Sequence, residues 1–208
     1  DKHDVTGENK VQIVLDDTPV FADKTVEYVG DPILMVVGED LKVVERILGE
    51  IVVVYEEEVP VLDMKESETV FFEYSYAKGD IDQVLKDADK VLVETFQTGY
   101  QEQAYLETQG MIAYPHDDRM TVRGSLQCPY YVHGAVVKAL GYDADGVQII
   151  QDVTGGGFGG KEAYPSILAS QVAVAAKKAG KPVKVIFDRR EDMEFTSKRH
   201  PSLCTYKV

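Results

Sequence analysis

Five glycines fall within six residues in the segment VTGGGFGGKE, which runs from Val153 to Glu162. Glycine loses more conformational freedom on folding than any other residue, so this density is unfavourable unless the backbone must take positive φ or approach another group closely. The residues before the segment predict a strand and those after it predict a helix. The segment therefore predicts a strand–loop–helix unit whose loop backbone contacts a ligand or another part of the chain.

A dinucleotide-binding loop is one interpretation of this segment. Gly155, Gly157 and Gly160 fit the G-x-G-x-x-G pattern, and Asp188 ends the next predicted strand, where an acidic residue would bind a ribose hydroxyl. However, Asp188 lies further along than the usual ~20 residues. Too little chain follows that strand to complete a doubly wound sheet. A Rossmann-type, NAD-binding dehydrogenase therefore stays only as an alternative.

A loop for another oxyanionic cofactor accounts for more of the residues. Successive free N–H groups at the start of a helix form a concave anion site. Phe158 cannot hydrogen-bond, so its ring would form a hydrophobic wall or stack on a planar group. Glu162 places a carboxylate near the same position. The remaining interpretation is a glycine-rich turn that binds nothing.

Charge and cysteine content exclude several other classes. The net charge is −14 over 208 residues, which argues against a nucleic-acid or anionic-membrane surface. Cys128 and Cys204 are far apart, and the absence of C-x-x-C and His-x-His pairs argues against a structural zinc or iron–sulfur site. Neither a signal peptide nor a membrane-spanning apolar stretch is visible, so we expect a cytoplasmic protein.

Hydrophobic periodicity and capping residues predict an α+β chain. Asp40 and Asp80 would each cap the start of a helix, Pro129 would begin a third, and Gly141 and Gly180 would end two helices. The acidic segment around residues 56–68 looks like a connector between two parts. Strands are predicted at 32–37, 51–58, 91–96, 104–114, 120–125, 146–153, 182–188 and 202–208, and helices at 41–48, 81–88, 127–141 and 163–180.

Further segments resemble the molybdenum hydroxylases, the xanthine dehydrogenase and aldehyde oxidase family. VTGGGFGGKE resembles the molybdopterin-binding loop of that family. Three other segments match its motifs in the same order: YQEQAYLETQGMIA (100–113), GSLQCPYYVHGAVVKALG (124–141) and KPVKVIFDRREDMEFTSKRHP (181–201). Residues 20–40 resemble the preceding α/β hammerhead domain. The likeness covers nearly the whole chain.

The resemblance implies both a fold and a division of the chain. Residues 1–70 correspond to the C-terminal part of an α/β hammerhead domain. Residues 71–208 correspond to the first part of a molybdopterin-binding domain with mixed sheets and helices. The family's catalytic base would lie beyond residue 208. We therefore expect this chain to be a fragment that lacks hydroxylase activity alone and binds the cofactor weakly or not at all.

The resemblance also assigns roles to individual residues. Gln127 corresponds to the glutamine that hydrogen-bonds an oxo ligand of molybdenum. Gly157, Phe158 and Gly159 correspond to the loop against the metal's ligands, with its backbone amides directed towards an oxo group and Phe158 forming a wall of the substrate pocket. Glu162 corresponds to the glutamate that binds purines. Gln103 stands where the family usually has His, at a position expected to be structural.

These roles imply oxidation of a purine-like N-heterocycle with water as the oxygen source. Relatives acting on aldehydes, nicotinate or an aromatic thioester are the alternatives. The family's electrons leave through [2Fe–2S] clusters and often FAD on other domains or subunits, and an oligomeric parent enzyme is expected. Neither nucleic acid nor membrane is an expected partner. A different class, a non-catalytic interaction domain that kept this fold, also stays open.

Overall fold

The structure is a computed structural model that describes residues 1–12 and 16–208. Contacts between residues divide the chain into two compact units, one of residues 1–48 and 100–200 and the other of residues 49–99 and 201–208. This division does not test the family-based boundary at residue 70, which stays a prediction.

Helices and strands alternate irregularly along the chain, as an α+β protein requires. The helices are α1 (Leu41–Glu50), α2 (Ile81–Asp87), α3 (Pro129–Leu140), α4 (Tyr164–Ala179) and α5 (Arg189–Phe195). The strands are β1 (Val11–Gln12), β2 (Asp16–Thr18), β3 (Val93–Thr98), β4 (Gly110–His116), β5 (Arg119–Gly124), β6 (Val147–Gln151), β7 (Val183–Ile186) and β8 (Ser202–Lys207).

The larger unit is built on a four-stranded mixed sheet in the order β6-β5-β4-β7. β4 pairs antiparallel with both β5 and β7, whereas β5 pairs parallel with β6. The strands on either side of the glycine loop in sequence, β6 and β7, therefore lie at opposite edges of the sheet. In a dinucleotide-binding βαβ unit they would be parallel neighbours. The Rossmann-type alternative is wrong for this reason.

Helices α3 and α4 pack against each other and against the sheet, and they supply much of the core. Pro129 begins α3, and Gly141 and Gly180 end the two helices in left-handed conformation, all as predicted. Helix α4 is more deeply buried than its predicted apolar stripe suggests, since 12 of its 16 residues are buried. The start of α4, directly after the glycine loop, is thus held inside the unit.

Two predicted strands are wrong, and the strand predicted at 104–114 begins only at Gly110. Residues 32–37 and 51–58 have no regular secondary structure and pair with no strand in the described part of the chain. An apolar run shows only that a segment suits a sheet, and a strand also needs a neighbour at hydrogen-bonding distance. The helix between them is confirmed, since the Lys42 N–H donates to Asp40 Oδ1 (2.8 Å) at the start of α1.

The smaller unit contains α2 and an antiparallel pair, β3 and β8. Asp80 caps α2 as predicted, accepting a hydrogen bond from the Gln83 N–H (2.9 Å). Across the pair, Phe96 and Tyr206 meet edge to face with ring centroids 5.7 Å apart. None of the helices described combines the length and apolar character that crossing a membrane requires.

Candidate functional site

The glycine loop (residues 155–160) connects β6 to α4 and rests on side chains from the segment before β4 and the turn after β5. The three glycines of the G-x-G-x-x-G pattern share one property, which is that a β-carbon would clash with a neighbouring side chain. The contacts are Gly155 against Glu107 (2.7 Å), Gly157 against Gln127 and Gly160 against Tyr105 (2.5 Å). These glycines permit close approach within the protein, where a dinucleotide loop uses them for a pyrophosphate.

The other two glycines serve the backbone conformation. Gly156 has φ of +101° and Gly159 has φ of +89°, values that residues with a β-carbon rarely adopt. Phe158 between them also has positive φ, +50°, and its side chain is 79% exposed. A strained, exposed aromatic residue at a loop tip is typical of functional sites, where strain is maintained by the surrounding structure.

This strain predicts a gain in stability when Phe158 is removed. We expect Phe158→Gly to raise the free energy of unfolding by about 1 kcal/mol, because glycine relieves the left-handed conformation and little buried surface is lost. Phe158→Ala keeps the β-carbon and should leave stability nearly unchanged. Thermal unfolding of both variants measures the difference, and equal stability of the two would show that the conformation carries no strain.

Gln127 fastens the C-terminal end of the loop. Its side-chain Oε1 accepts hydrogen bonds from the backbone N–H groups of Gly159 and Lys161 (3.1 Å each). The backbone N–H of Gln127 donates to the Lys161 carbonyl (2.8 Å). Backbone N–H groups can only donate, so these bonds fix which end of the amide is the oxygen. The Nε2 group is therefore left as a hydrogen-bond donor for a ligand.

Glu107 fastens the N-terminal end of the loop. Its Oε2 accepts from the Gly155 N–H (2.7 Å), the Ser125 hydroxyl (2.6 Å) and the Lys161 ammonium (2.8 Å). Burial by itself raises the pKa of Glu107, but the hydrogen bonds from Lys161, Ser125 and Gly155 outweigh it and lower the pKa to about 2. Glu107 is consequently ionised throughout the physiological pH range.

A buried polar cluster of Tyr105, Gln109 and Asp192 contacts the C-terminal end of the loop. The Tyr105 hydroxyl donates to Asp192 Oδ1 (2.8 Å), and Gln109 Nε2 donates to the Tyr105 oxygen (2.8 Å) and to the Gly160 carbonyl (2.9 Å). Burial raises the pKa of both Tyr105 and Asp192, and the Asp192 carboxylate raises that of Tyr105 further. The cluster links the end of the loop to α5.

Between the two fastened ends, three successive amides are unpaired. Among the described residues, the N–H groups of Gly156, Gly157 and Phe158 donate to no acceptor, and of these three residues Gly157 is buried. The Gly159 amide, which the resemblance directs towards a ligand, instead donates to Gln127. The free donors are therefore displaced by one residue towards the N-terminus of the loop.

The remaining predicted residues lie beside the loop. Glu162 is exposed, and its N–H donates to the Gly159 carbonyl (3.3 Å). Burial, followed by the Glu162 carboxylate, raises the pKa of the Cys128 thiol. Gln103 lies against Gly160, and its Oε1 is buried without a hydrogen-bond partner in the described structure.

Comparison with known proteins identifies the family of this chain. The sequence model of the family "Molybdopterin cofactor-binding domain" matches residues 63–208. The chain is 37% identical over 196 residues to a xanthine dehydrogenase of Blastobotrys adeninivorans, covering 91% of this chain and 14% of that protein. It belongs to the molybdopterin cofactor-binding domain family of the molybdenum hydroxylases.

Two further similarities extend the comparison. A nicotinate hydroxylase of Emericella nidulans is 33% identical over 205 residues, covering 94% of this chain and 15% of that protein. The fold matches the aldehyde oxidoreductase of Desulfovibrio gigas with a TM-score of 0.82 at 24% identity, covering 99% of this chain and 25% of that one. The chain thus spans about a seventh of the curated relatives it matches.

The residues at the loop fit a molybdopterin cofactor. The unpaired N–H groups of Gly156, Gly157 and Phe158 and the Nε2 group of Gln127 are neutral donors suited to oxygen atoms of an anionic group. A β-carbon at Gly159 would meet nothing within 4 Å, so the loop surface is open there. Sequence reasoning missed Glu107, Ser125 and Lys161, although all three stand within the quoted motifs.

Proposed function

We propose that this chain supplies part of the molybdenum–molybdopterin site of a hydroxylase that oxidises a purine-like N-heterocycle with water as the oxygen source. The observation that carries the proposal is the run of three free amides at Gly156, Gly157 and Phe158, held between two fastened loop ends. Such preorganised donors favour negative charge without any reorganisation at the moment of reaction. The Glu107 and Gln127 contacts preserve this arrangement.

When bound, the molybdenum cofactor supplies the redox chemistry, and the protein supplies position and hydrogen bonds. Gln127 donates through Nε2 to an oxygen of the cofactor, because its Oε1 already accepts two loop amides. Gly157 and Phe158 donate through their backbone N–H groups. Gly159 contributes by its conformation, since its own N–H is used by Gln127.

Phe158 and Glu162 are proposed to contact the substrate. The exposed Phe158 ring offers a flat apolar face on which an aromatic heterocycle can stack. Glu162 offers a carboxylate that accepts a hydrogen bond from a ring N–H, a group that purines carry and simple aldehydes lack. Specificity for such a substrate is large because the analogue without the N–H leaves the carboxylate unpaired.

The partners follow from the same proposal. Electrons would pass to [2Fe–2S] clusters and FAD on other domains or subunits, in an oligomeric and cytoplasmic enzyme. A molybdenum site with no electron acceptor cannot turn over repeatedly, so electron balance requires an acceptor, and the proposal assigns that role to these partners.

Replacing Glu162 tests the substrate assignment. In the purified enzyme that carries this chain, we expect Glu162→Ala to lower kcat/KM for xanthine by about 100-fold, because the ring N–H loses its acceptor. Turnover of an aldehyde and the molybdenum content should stay unchanged. Steady-state kinetics with both substrates and metal analysis measure these effects.

The matched control is Glu45→Ala, which removes another exposed glutamate, on α1. It should change neither substrate's turnover. If xanthine and aldehyde turnover fall equally, Glu162 does not select a heterocycle and the purine assignment fails. If turnover of nicotinate, assayed alongside the other two substrates, falls alone, the purine assignment fails and a nicotinate-like substrate is favoured, in line with the nicotinate hydroxylase relative.

A further inference from the structure

We infer that Lys161 is a positioning residue for the glycine loop, acting through Glu107 to hold the free amides in place for the cofactor. The inference rests on the proposed function of that loop. Lys161 immediately follows the loop, and its side chain is completely buried. The ammonium contacts Glu107, Ser125 and Tyr105, so its effect on the loop passes through these residues.

The Lys161 side chain ties the two ends of the loop together. Its Nζ donates to Glu107 Oε2 (2.8 Å), and the same oxygen accepts from the Gly155 N–H (2.7 Å) at the start of the loop. The chain from Gly155 to Lys161 is thus closed into a ring through one carboxylate oxygen. The spacing between the loop ends cannot change without breaking one of these bonds.

The backbone of Lys161 fastens the loop at a second point. Its N–H donates to Gln127 Oε1 (3.1 Å), and its carbonyl accepts from the Gln127 N–H (2.8 Å). Gln127 Oε1 also holds the Gly159 N–H. One residue therefore connects the carboxylate that fixes the start of the loop with the amide that fixes its end.

The ammonium is fully engaged in its buried position. Besides Glu107 it donates to Ser125 Oγ (2.9 Å), and it lies 4.8 Å from the centre of the Tyr105 ring. A buried ammonium is a costly way to fill space, since apolar residues of similar volume often stabilise a protein equally or better. We infer that the ammonium instead fixes the spacing of the loop ends. Because the Glu107 carboxylate neutralises it, the ion pair adds no net charge next to the loop amides.

The test measures loop mobility and cofactor content separately. In the purified full-length protein without cofactor, we expect Lys161→Met to speed hydrogen exchange in a peptide covering residues 153–163 by about tenfold or more. Exchange in α3 and in β4 should change much less. In the enzyme prepared with cofactor, molybdenum per protein should fall at least about fivefold, a loss of the order expected for supporting residues.

Lys178→Met is the matched control, because it removes an ammonium from an exposed ion pair with Asp4 (2.6 Å) away from the loop. It should alter neither measurement. Glu107→Gln provides a second variant that keeps an acceptor for Gly155 but removes the counter-ion. If the pair acts as one unit, the Glu107→Gln, Lys161→Met double variant should exchange no faster than the worse single variant.

Each contrary result of these experiments would overturn a particular part of the proposal. Unchanged loop exchange in Lys161→Met, strictly additive effects, or equally fast exchange throughout the protein would overturn the positioning role and leave Lys161 as a general stabilising residue. Faster loop exchange with full molybdenum content would overturn the link from the loop to the cofactor. A wild-type enzyme that contains no molybdenum would refute the proposed function, while the exchange measurement would still test the ion pair.

Discussion

Gly157→Ala should lower the kcat/KM of the enzyme that carries this chain by about 100-fold, the loss typical when a preorganised donor is displaced. The new β-carbon would overlap Oε1 of Gln127. That oxygen accepts the N–H groups of both Gly159 and Lys161, so moving it releases the end of the loop. The Gly157 amide, one of the three free donors, would be misdirected at the same time.

The matched control for this variant is Gly134→Ala in α3. A β-carbon there would meet nothing within 4 Å, so the variant should retain full activity and gain helix stability of about 0.5–1 kcal/mol. Kinetics, molybdenum content and thermal unfolding of the two variants give the comparison. A folded Gly157→Ala enzyme whose kcat/KM stays within threefold of wild type, a difference of about 0.6 kcal/mol in activation free energy, would contradict this expectation. That result would show that the contact between Gln127 and the loop does not govern catalysis.

A large effect on stability away from the loop is expected at Gly124, the last residue of β5. A β-carbon there would overlap the Gly110 carbonyl and the Met111 sulfur of the neighbouring strand β4. The backbone atoms can yield only if β4 and β5 move apart, because Gly124 pairs directly with Met111. We expect Gly124→Ala to lower the free energy of unfolding by about 1–3 kcal/mol, measured by denaturant titration.

Gly110→Ala makes the same chemical change in the adjacent strand. Its nearest contact would be Ile186 Cγ1 at 3.6 Å, which is ordinary van der Waals distance. This variant should be neutral or slightly stabilising, since alanine restricts the unfolded chain more than glycine does. Equal destabilisation of both variants would contradict the argument and attribute the cost to strand glycines in general.

Local signals in the sequence were sufficient for most helices and for the sheet strands. Asp40 and Asp80 at helix starts, Pro129 as a first helical residue and glycines at helix ends act within one or two turns, so they need no information about the rest of the fold. The strands at 32–37 and 51–58 failed because a strand depends on a partner far away in sequence. The glycine density in residues 155–160 likewise indicated a special loop.

The sequence by itself thus determined that the chain has a glycine loop between a strand and a helix, and its motifs identified the family. Only the tertiary structure decided what each glycine does and which donors remain free. Glu107 and Lys161 are separated by 54 residues, and no local pattern predicts that one buried ammonium joins them. Sequence spacing constrains groups within a turn or two, whereas ion pairs across the fold depend on how β4, β5 and α4 pack together.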